Sequence, residues 1–276
     1  MKQSFLAAAI AAALGAPITP ALAEESPHTF TANVGLFSNY LFRSISQTAG
    51  EPAIQGGFDY GHSSGFYAGT WASNISWLED YGMYTRSSLN GSVYAGIKRP
   101  FANSDFYWNT GAVYYFYPGD RNPGVSNANT TEVYGALGWK WVGVKASYSL
   151  TNYFAARPTG EDTNGTWYLD LYANYPIADT GFVIGAHVGH LDVKNDGNSD
   201  INPATGGFAN AGKLSYTDWR IGASYYVPAG FANGLFKNVE LGAYYSGNNA
   251  ENRYFTDLTG HDNSKNAFLV YVKRTF

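Results

Sequence analysis

Ten charged residues are spaced so that they could line a polar conduit: Arg43, Asp59, Lys98, Glu132, Lys140, Lys145, Asp170, Arg220, Glu240 and Lys273. Each lies in or beside a stretch of alternating apolar and polar residues, on the polar phase. Successive side chains of a strand point to opposite faces, so these charges would share one side of a sheet. Acids and bases facing a common aqueous space filter solutes by size and charge. The same residues could instead close the space with ion pairs among themselves, helped by Tyr67, Tyr94, Tyr134 and Tyr172.

Other chemistry is weaker. "GHSSG" at Gly61–Gly65 has the G-x-S-x-G spacing of a nucleophile elbow, which needs a strand, a sharp turn and a helix. Strand-like sequence stands on both sides here, which reads as a turn with His62 in it. "DVKNDGNSD" at Asp192–Asp200 partly fits a calcium loop, but Lys194 takes a ligand position and the closing Glu is missing. It reads as an acidic outer loop, with a divalent-cation site shared with lipopolysaccharide as the other reading. His187 and His190, three apart on a strand, face opposite sides and cannot chelate together. An enzyme would need a Ser/His or Asp/His group at a rim, and His261, Asp262 and Asp257 are the group available. No catalytic residue, metal site or cofactor is expected.

The elements that must position these residues are strands. Alternation predicts about twelve, at roughly 29–43, 53–62, 65–75, 86–98, 104–117, 130–141, 143–153, 166–177, 181–193, 214–228, 236–247 and 265–276. In one, Trp167, Leu169, Leu171, Ala173 and Tyr175 oppose Tyr168, Asp170, Tyr172 and Asn174. In another, Trp219, Ile221, Ala223 and Tyr225 oppose Asp218, Arg220, Gly222 and Ser224. The connections alternate between long and short. The short ones fall near His62–Ser64, Arg99–Asn103, Val142, Ala178–Thr180 and Ala229–Leu235. Short periplasmic turns with long extracellular loops are the habit of outer-membrane barrels. The long loops "SQTAGEPA" and "NNAENRYFTDLTGHDNSKN" could fold inward to narrow a pore or serve as receptors.

Composition agrees. The chain is 17% aromatic and 14% charged, has no cysteine and carries a net charge of −4. A water-facing surface usually holds about 25% charge or more, so much of this exterior is expected not to meet water. The slight negative charge disfavours a nucleic-acid partner, and without cysteine no disulfide holds the fold. Residues 1–23 read as a secretory signal: Lys2, an apolar run from Phe5 to Leu14, and Ala21-Leu22-Ala23 as a cleavage site. Residues 24–276 are then one domain. Aromatics near strand ends, among them Tyr40, Trp77, Phe116, Trp139, Trp167 and Phe276, would form two girdles at the membrane–water boundaries.

The final "FLVYVKRTF", Phe268–Phe276, alternates to its last residue. In lipid each unpaired backbone group costs several kcal/mol, so a sheet must close, and the last strand is expected to pair with the first. The predicted architecture is all-β: a transmembrane antiparallel up-and-down barrel of about 12 strands, with both termini periplasmic.

"NYLFRSISQTAGEPAIQGGFDY" at Asn39–Tyr60, followed by "SGFYAGTW" at Ser64–Trp71, resembles the opening motifs of the TorF family of porins, a proteobacterial conserved hypothetical family. "YFYPGD" at Tyr115–Asp120, "TEVYGAL" at Thr131–Leu137 and the terminal "VYVKRTF" extend the likeness over nearly the whole mature chain. Family patterns more often have Gly where this chain has Ser44. The resemblance implies an outer-membrane barrel of a Gram-negative bacterium with a channel role, and brings neither a substrate nor catalytic residues. The partners expected are outer-membrane lipid and lipopolysaccharide, the barrel-assembly machinery through the C-terminal strand, and small hydrophilic solutes. A barrel with a plugged lumen, structural or adhesive, is the other reading of the same residues.

Overall fold

The computed structural model describes residues 26–156, 162–196 and 214–276. The expected signal segment and the second half of the Asp192–Asp200 loop lie outside the described residues. In chain order the elements are β1 (His28–Phe37), β2 (Leu41–Phe42), β3 (Ile45–Ser46), β4 (Ala53–His62), β5 (Phe66–Asn74), α1 (Trp77–Asp80), β6 (Tyr84–Arg86), β7 (Leu89–Pro100) and β8 (Phe106–Phe116). There follow β9 (Asp120–Arg121), β10 (Thr130–Trp139), β11 (Val142–Ser149), β12 (Trp167–Pro176), β13 (Phe182–Asp192), β14 (Tyr216–Tyr226), β15 (Val239–Asn248), α2 (Asn252–Phe255) and β16 (Ala267–Thr275).

Twelve of these strands close into one antiparallel barrel, each beside its chain neighbour, with β16 returning to β1. The seam runs from Asn33 opposite Thr275 to Phe37 opposite Tyr271. Backbone bonds between Ala32 and Phe276 extend it to the last residue, so the sheet has no open edge. Both described ends lie with the short turns. The remaining short strands form two small ribbons, β2 with β3 and β6 with β9, in the long connections.

Period-two patterning decides which side faces out. Along β12, Trp167, Leu169 and Leu171 are exposed, while Tyr168, Asp170 and Tyr172 are buried. Along β16, Phe268, Val270 and Val272 face out, and Leu269 and Lys273 are buried inside. On the outward phase of the barrel strands, charged residues occur only near strand ends, at Arg99, Asp192 and Arg274. Lys or Arg at the middle of a lipid-facing band costs about 2–4 kcal/mol, which explains that exclusion.

The inner wall is built from tyrosines lying across glycines of the adjacent strand. Gly69 is directly opposite Tyr94, and Tyr67 opposite Gly96. A Cβ added at Gly69 would fall 2.4 Å from the Tyr94 hydroxyl oxygen. Tyr168 covers Gly189 and Tyr172 covers Gly143 in the same manner. Glycine is needed at these places because the ring lies flat on the backbone.

Among the boundaries that differ from the alternation-based expectation, three have a clear structural cause or consequence. The first strand ends at Phe37 rather than running to residue 43, because the chain turns inward. The turn placed at Val142 is Lys140-Trp141, and Val142 opens β11. Residues 150–153 leave the sheet, since Tyr153 buries its ring among the long loops.

Candidate functional site

The barrel encloses a cavity of about 1280 Å³ that extends from the short-turn mouth to an inward-folded segment of the first long connection. Nine of the ten expected charges line it: Arg43, Lys98, Glu132, Lys140, Lys145, Asp170, Arg220, Glu240 and Lys273. Asp59 points inward but is not part of that lining; it accepts a hydrogen bond from the Tyr94 hydroxyl. Lys140 is at the mouth rather than on a strand wall. It occupies the β10–β11 turn with φ 50°, and its Nζ is 3.5 Å from Asp105.

The segment that closes the far end of the cavity, opposite the short-turn mouth, is the β2–β3 hairpin. Leu41 pairs with Ser46 and Phe42 with Ile45, which leaves Arg43-Ser44 as a two-residue loop. Both have positive φ, 48° and 62°, the signature of a type I′ turn that glycine normally supplies. The hairpin projects Arg43 into the lumen. Its Nη2 donates to both Glu132 carboxylate oxygens at 2.9 Å, and its Nη1 donates to the Tyr153 hydroxyl at 3.0 Å. The guanidinium carbon stands 4.2 Å from the centre of the Tyr168 ring. Ser44 Oγ donates to Asp218 at 3.1 Å and is 2.6 Å from Ser246 Oγ. Tyr216 and Asn248 donate to the carbonyls of Arg43 and Ser44. The hairpin is therefore tied to β10, β14 and β15 at once.

Outward from the hairpin, the long connections pack together as an apolar cap. Ile45, Trp77, Leu78, Met83, Tyr117, Tyr153, Phe154, Leu191, Leu214, Tyr254 and Phe255 belong to one buried cluster. Two residues expected in the outer aromatic girdle are part of it. Tyr40 and Trp77 are 7% and 6% exposed. Tyr40 bonds Asn90 and meets Trp71 edge-on, and Trp77 meets Tyr117 edge-on. They are buried because the chain after Phe37 turns inward and α1 folds over the rim. The other four stand on the outer face near strand ends. Trp139, Trp167 and Phe276 are exposed, and Phe116 stacks on Tyr114.

Some of the remaining charges pair across the wall. Lys273 Nζ lies 2.6 Å from Glu240, which also accepts from Tyr271. His187 bridges two buried carboxylates, with Nδ1 3.1 Å from Asp170 and Nε2 3.6 Å from Asp218. Among the described residues, Lys98, Lys145 and Arg220 have no carboxylate within ion-pair distance. Each sits over a tyrosine ring instead: Tyr107 at 4.5 Å, Tyr134 at 4.4 Å and Tyr244 at 4.7 Å.

The other motifs resolve into turns. "GHSSG" joins β4 to β5 with no helix after it, and the His62 ring is 2.7 Å from Ser64 Oγ within the turn. Asp257 and Asp262 organise the last long loop: Asp257 accepts from the N–H groups of Thr259 and His261, and Asp262 from Ser264. Asp196 accepts from the N–H groups of Leu214 and Ser215. Among the described residues, no three His, Asp or Glu side chains converge as metal ligands would.

Sequence reasoning missed how the inward hairpin is held: Ser44 in its loop, the Asp218 and Ser246 that Ser44 bonds, and the His187 beside Asp218. Asp218 stood on the correct face. The signal available for the hairpin was "FRSIS", two residues between short apolar runs, without the Asn-Gly or Gly that marks such turns.

A search of curated proteins finds no match. Residues 21–276 match the model of a family described as a bacterial protein of unknown function (Gcw_chp). Among solved structures, a NanC porin is similar with a TM-score of 0.51 and 12% identity, over 90% of this chain and 98% of that one. A KdgM porin gives 0.49 and 11%, over 89% and 99%. Pseudomonas aeruginosa OprD gives 0.45 and 13%, over 92% and 68%. At such identities the likeness is one of fold, and function has to be argued from the site.

Proposed function

The chain belongs to the Gcw_chp family of bacterial proteins of unknown function, and from that premise we propose that it is an outer-membrane channel for passive diffusion of small hydrophilic solutes. The observation that carries this reading is the chamber itself: about 1280 Å³ of charged and tyrosine-lined space inside a closed, apolar-coated barrel. A barrel needs a polar interior of that size only if polar matter occupies it, since side chains alone can fill a small barrel. The fold shared with a NanC porin and the motif likeness to TorF family porins support the same reading. In it, the short turns and both termini are periplasmic, the long loops face the outside of a Gram-negative cell, and lipopolysaccharide surrounds the outer rim.

The cap favours a second reading. The β2–β3 hairpin and the apolar loop cluster stand across the outer end, so the barrel would be a plugged, structural or adhesive one if they never move. Planar-bilayer recording separates the two. Discrete conductance steps from folded protein, enlarged when Arg43 or Glu132 is substituted, support the channel. A folded barrel that is silent both as wild type and as Arg43→Ala refutes it and leaves the plugged barrel.

A further inference from the structure

The cavity wall carries four carboxylates, and each has a partner. Asp105 is paired with Lys140, Glu132 with Arg43 and Glu240 with Lys273, and Asp170 is held by the His187 ring. Glu132, Asp170 and Glu240 are also buried, at 2%, 6% and 6% exposure. Subtracting these pairs from the lining leaves Lys98, Lys145 and Arg220. All three are partly exposed to the chamber, and each has one side covered by a tyrosine face.

This arrangement has a direction. A cation resting on a ring keeps most of its attraction for an anion, because the ring holds it by a quadrupole and supplies no neutralising charge. Glu132 and Glu240 repel an entering anion weakly, because a counter-charge sits at contact distance, and Asp170, hydrogen-bonded by the His187 ring and directly opposite Lys145, is withdrawn into the wall at 6% exposure. The charged groups that reach the chamber from its strand walls are thus mainly the three cations, while Glu132, Asp170, Asp218 and Glu240 are buried in those walls. A narrow, low-dielectric tube focuses that field onto its axis.

We propose that the chamber selects small anions, in particular carboxylate-bearing organic acids, through Lys98, Lys145 and Arg220 acting together. Lys98 lies two residues from the short-turn end of β7, Lys145 lies on β11 and Arg220 on β14. A carboxylate can be handed from one to the next, and the tyrosine faces offer contact for the solute's carbon skeleton. The proposal rests on the channel reading for its transport consequence, though the binding it implies does not require conduction.

The test is reversal potential in a potassium chloride gradient across a planar bilayer, with citrate titration of the detergent-solubilised barrel alongside. Wild type is expected to pass chloride severalfold more readily than potassium. The K98Q/K145Q/R220Q variant is expected to lose that preference and to weaken citrate binding at least tenfold, while K98R/K145R/R220R retains both. Heat-modifiable gel migration verifies that each variant is folded, and K98Q alone serves if the triple variant is not. Conductance without anion preference, or a preference unchanged in the folded glutamine variant, overturns the inference and spares the channel. If nothing conducts, the channel reading falls and citrate decides the inference: tenfold weakening in the variant upholds it, and equal or absent binding overturns it.

Discussion

At the scale of single residues, the most consequential contact is Arg43 with Glu132. Their side chains are 8% and 3% exposed, so removing one partner strands a buried charge. That typically costs about 3–5 kcal/mol, whereas replacing both partners with apolar groups of similar size is often near neutral. Glu132→Gln and Arg43→Ala are therefore each expected to lower the temperature at which the compact gel form is lost. Arg43→Met with Glu132→Leu should recover most of the loss. If both single variants convert at the wild-type temperature, the pair is not holding the hairpin. Ser44 belongs to the same argument: it accepts a backbone conformation glycine would take more easily, and its hydroxyl bonds to Asp218 and Ser246 offset that strain.

At the scale of elements, the last long loop is fastened by one carboxylate. Burial pushes the Asp257 pKa up, but the Thr259 hydroxyl, the N–H groups of His261 and Thr259, and the Asn263 amide outweigh burial and hold it below the ordinary carboxylate value. A depressed folded pKa contributes stability that is complete above the unfolded value and is lost as pH falls through the folded one. The loop should therefore stay closed at neutral pH and loosen only below about pH 4. Its backbone is joined to the hairpin by the bond from Ser46 N–H to the Asn263 carbonyl, so loosening propagates inward. Asp257→Asn should open the loop at neutral pH, read as trypsin cleavage after Arg253 that the wild type resists. Cleavage rates equal in the two proteins would remove Asp257 from this role.

At the scale of the whole molecule, the exterior and the closure stand or fall together. Leu171, at 57% exposure, sits mid-strand on the apolar band. Leu171→Lys is expected to destabilise the barrel by about 2–4 kcal/mol in vesicles, measured by denaturant unfolding. A Lys at this position that is neutral in lipid would mean the band does not face hydrocarbon.

Much of this was legible in the sequence, because a strand's two-residue period and a bilayer's demand for closure are both written locally. Alternation placed Asp170, Arg220, Glu240 and Lys273 inside and Trp167, Leu171 and Phe268 outside, and the aromatic end of the chain implied the β1–β16 seam. What the sequence left open is where chain distant in number meets. The inward turn after Phe37, the burial of Tyr40 and Trp77, and the pairing of Arg43 with Glu132 all depend on contacts across the lumen. No local period encodes those contacts, because loop residues are placed by what they pack against. The sequence by itself determined a closed barrel with a greasy exterior and a polar interior. Only the tertiary structure decided which interior charges pair and which three cations rest on tyrosine rings instead.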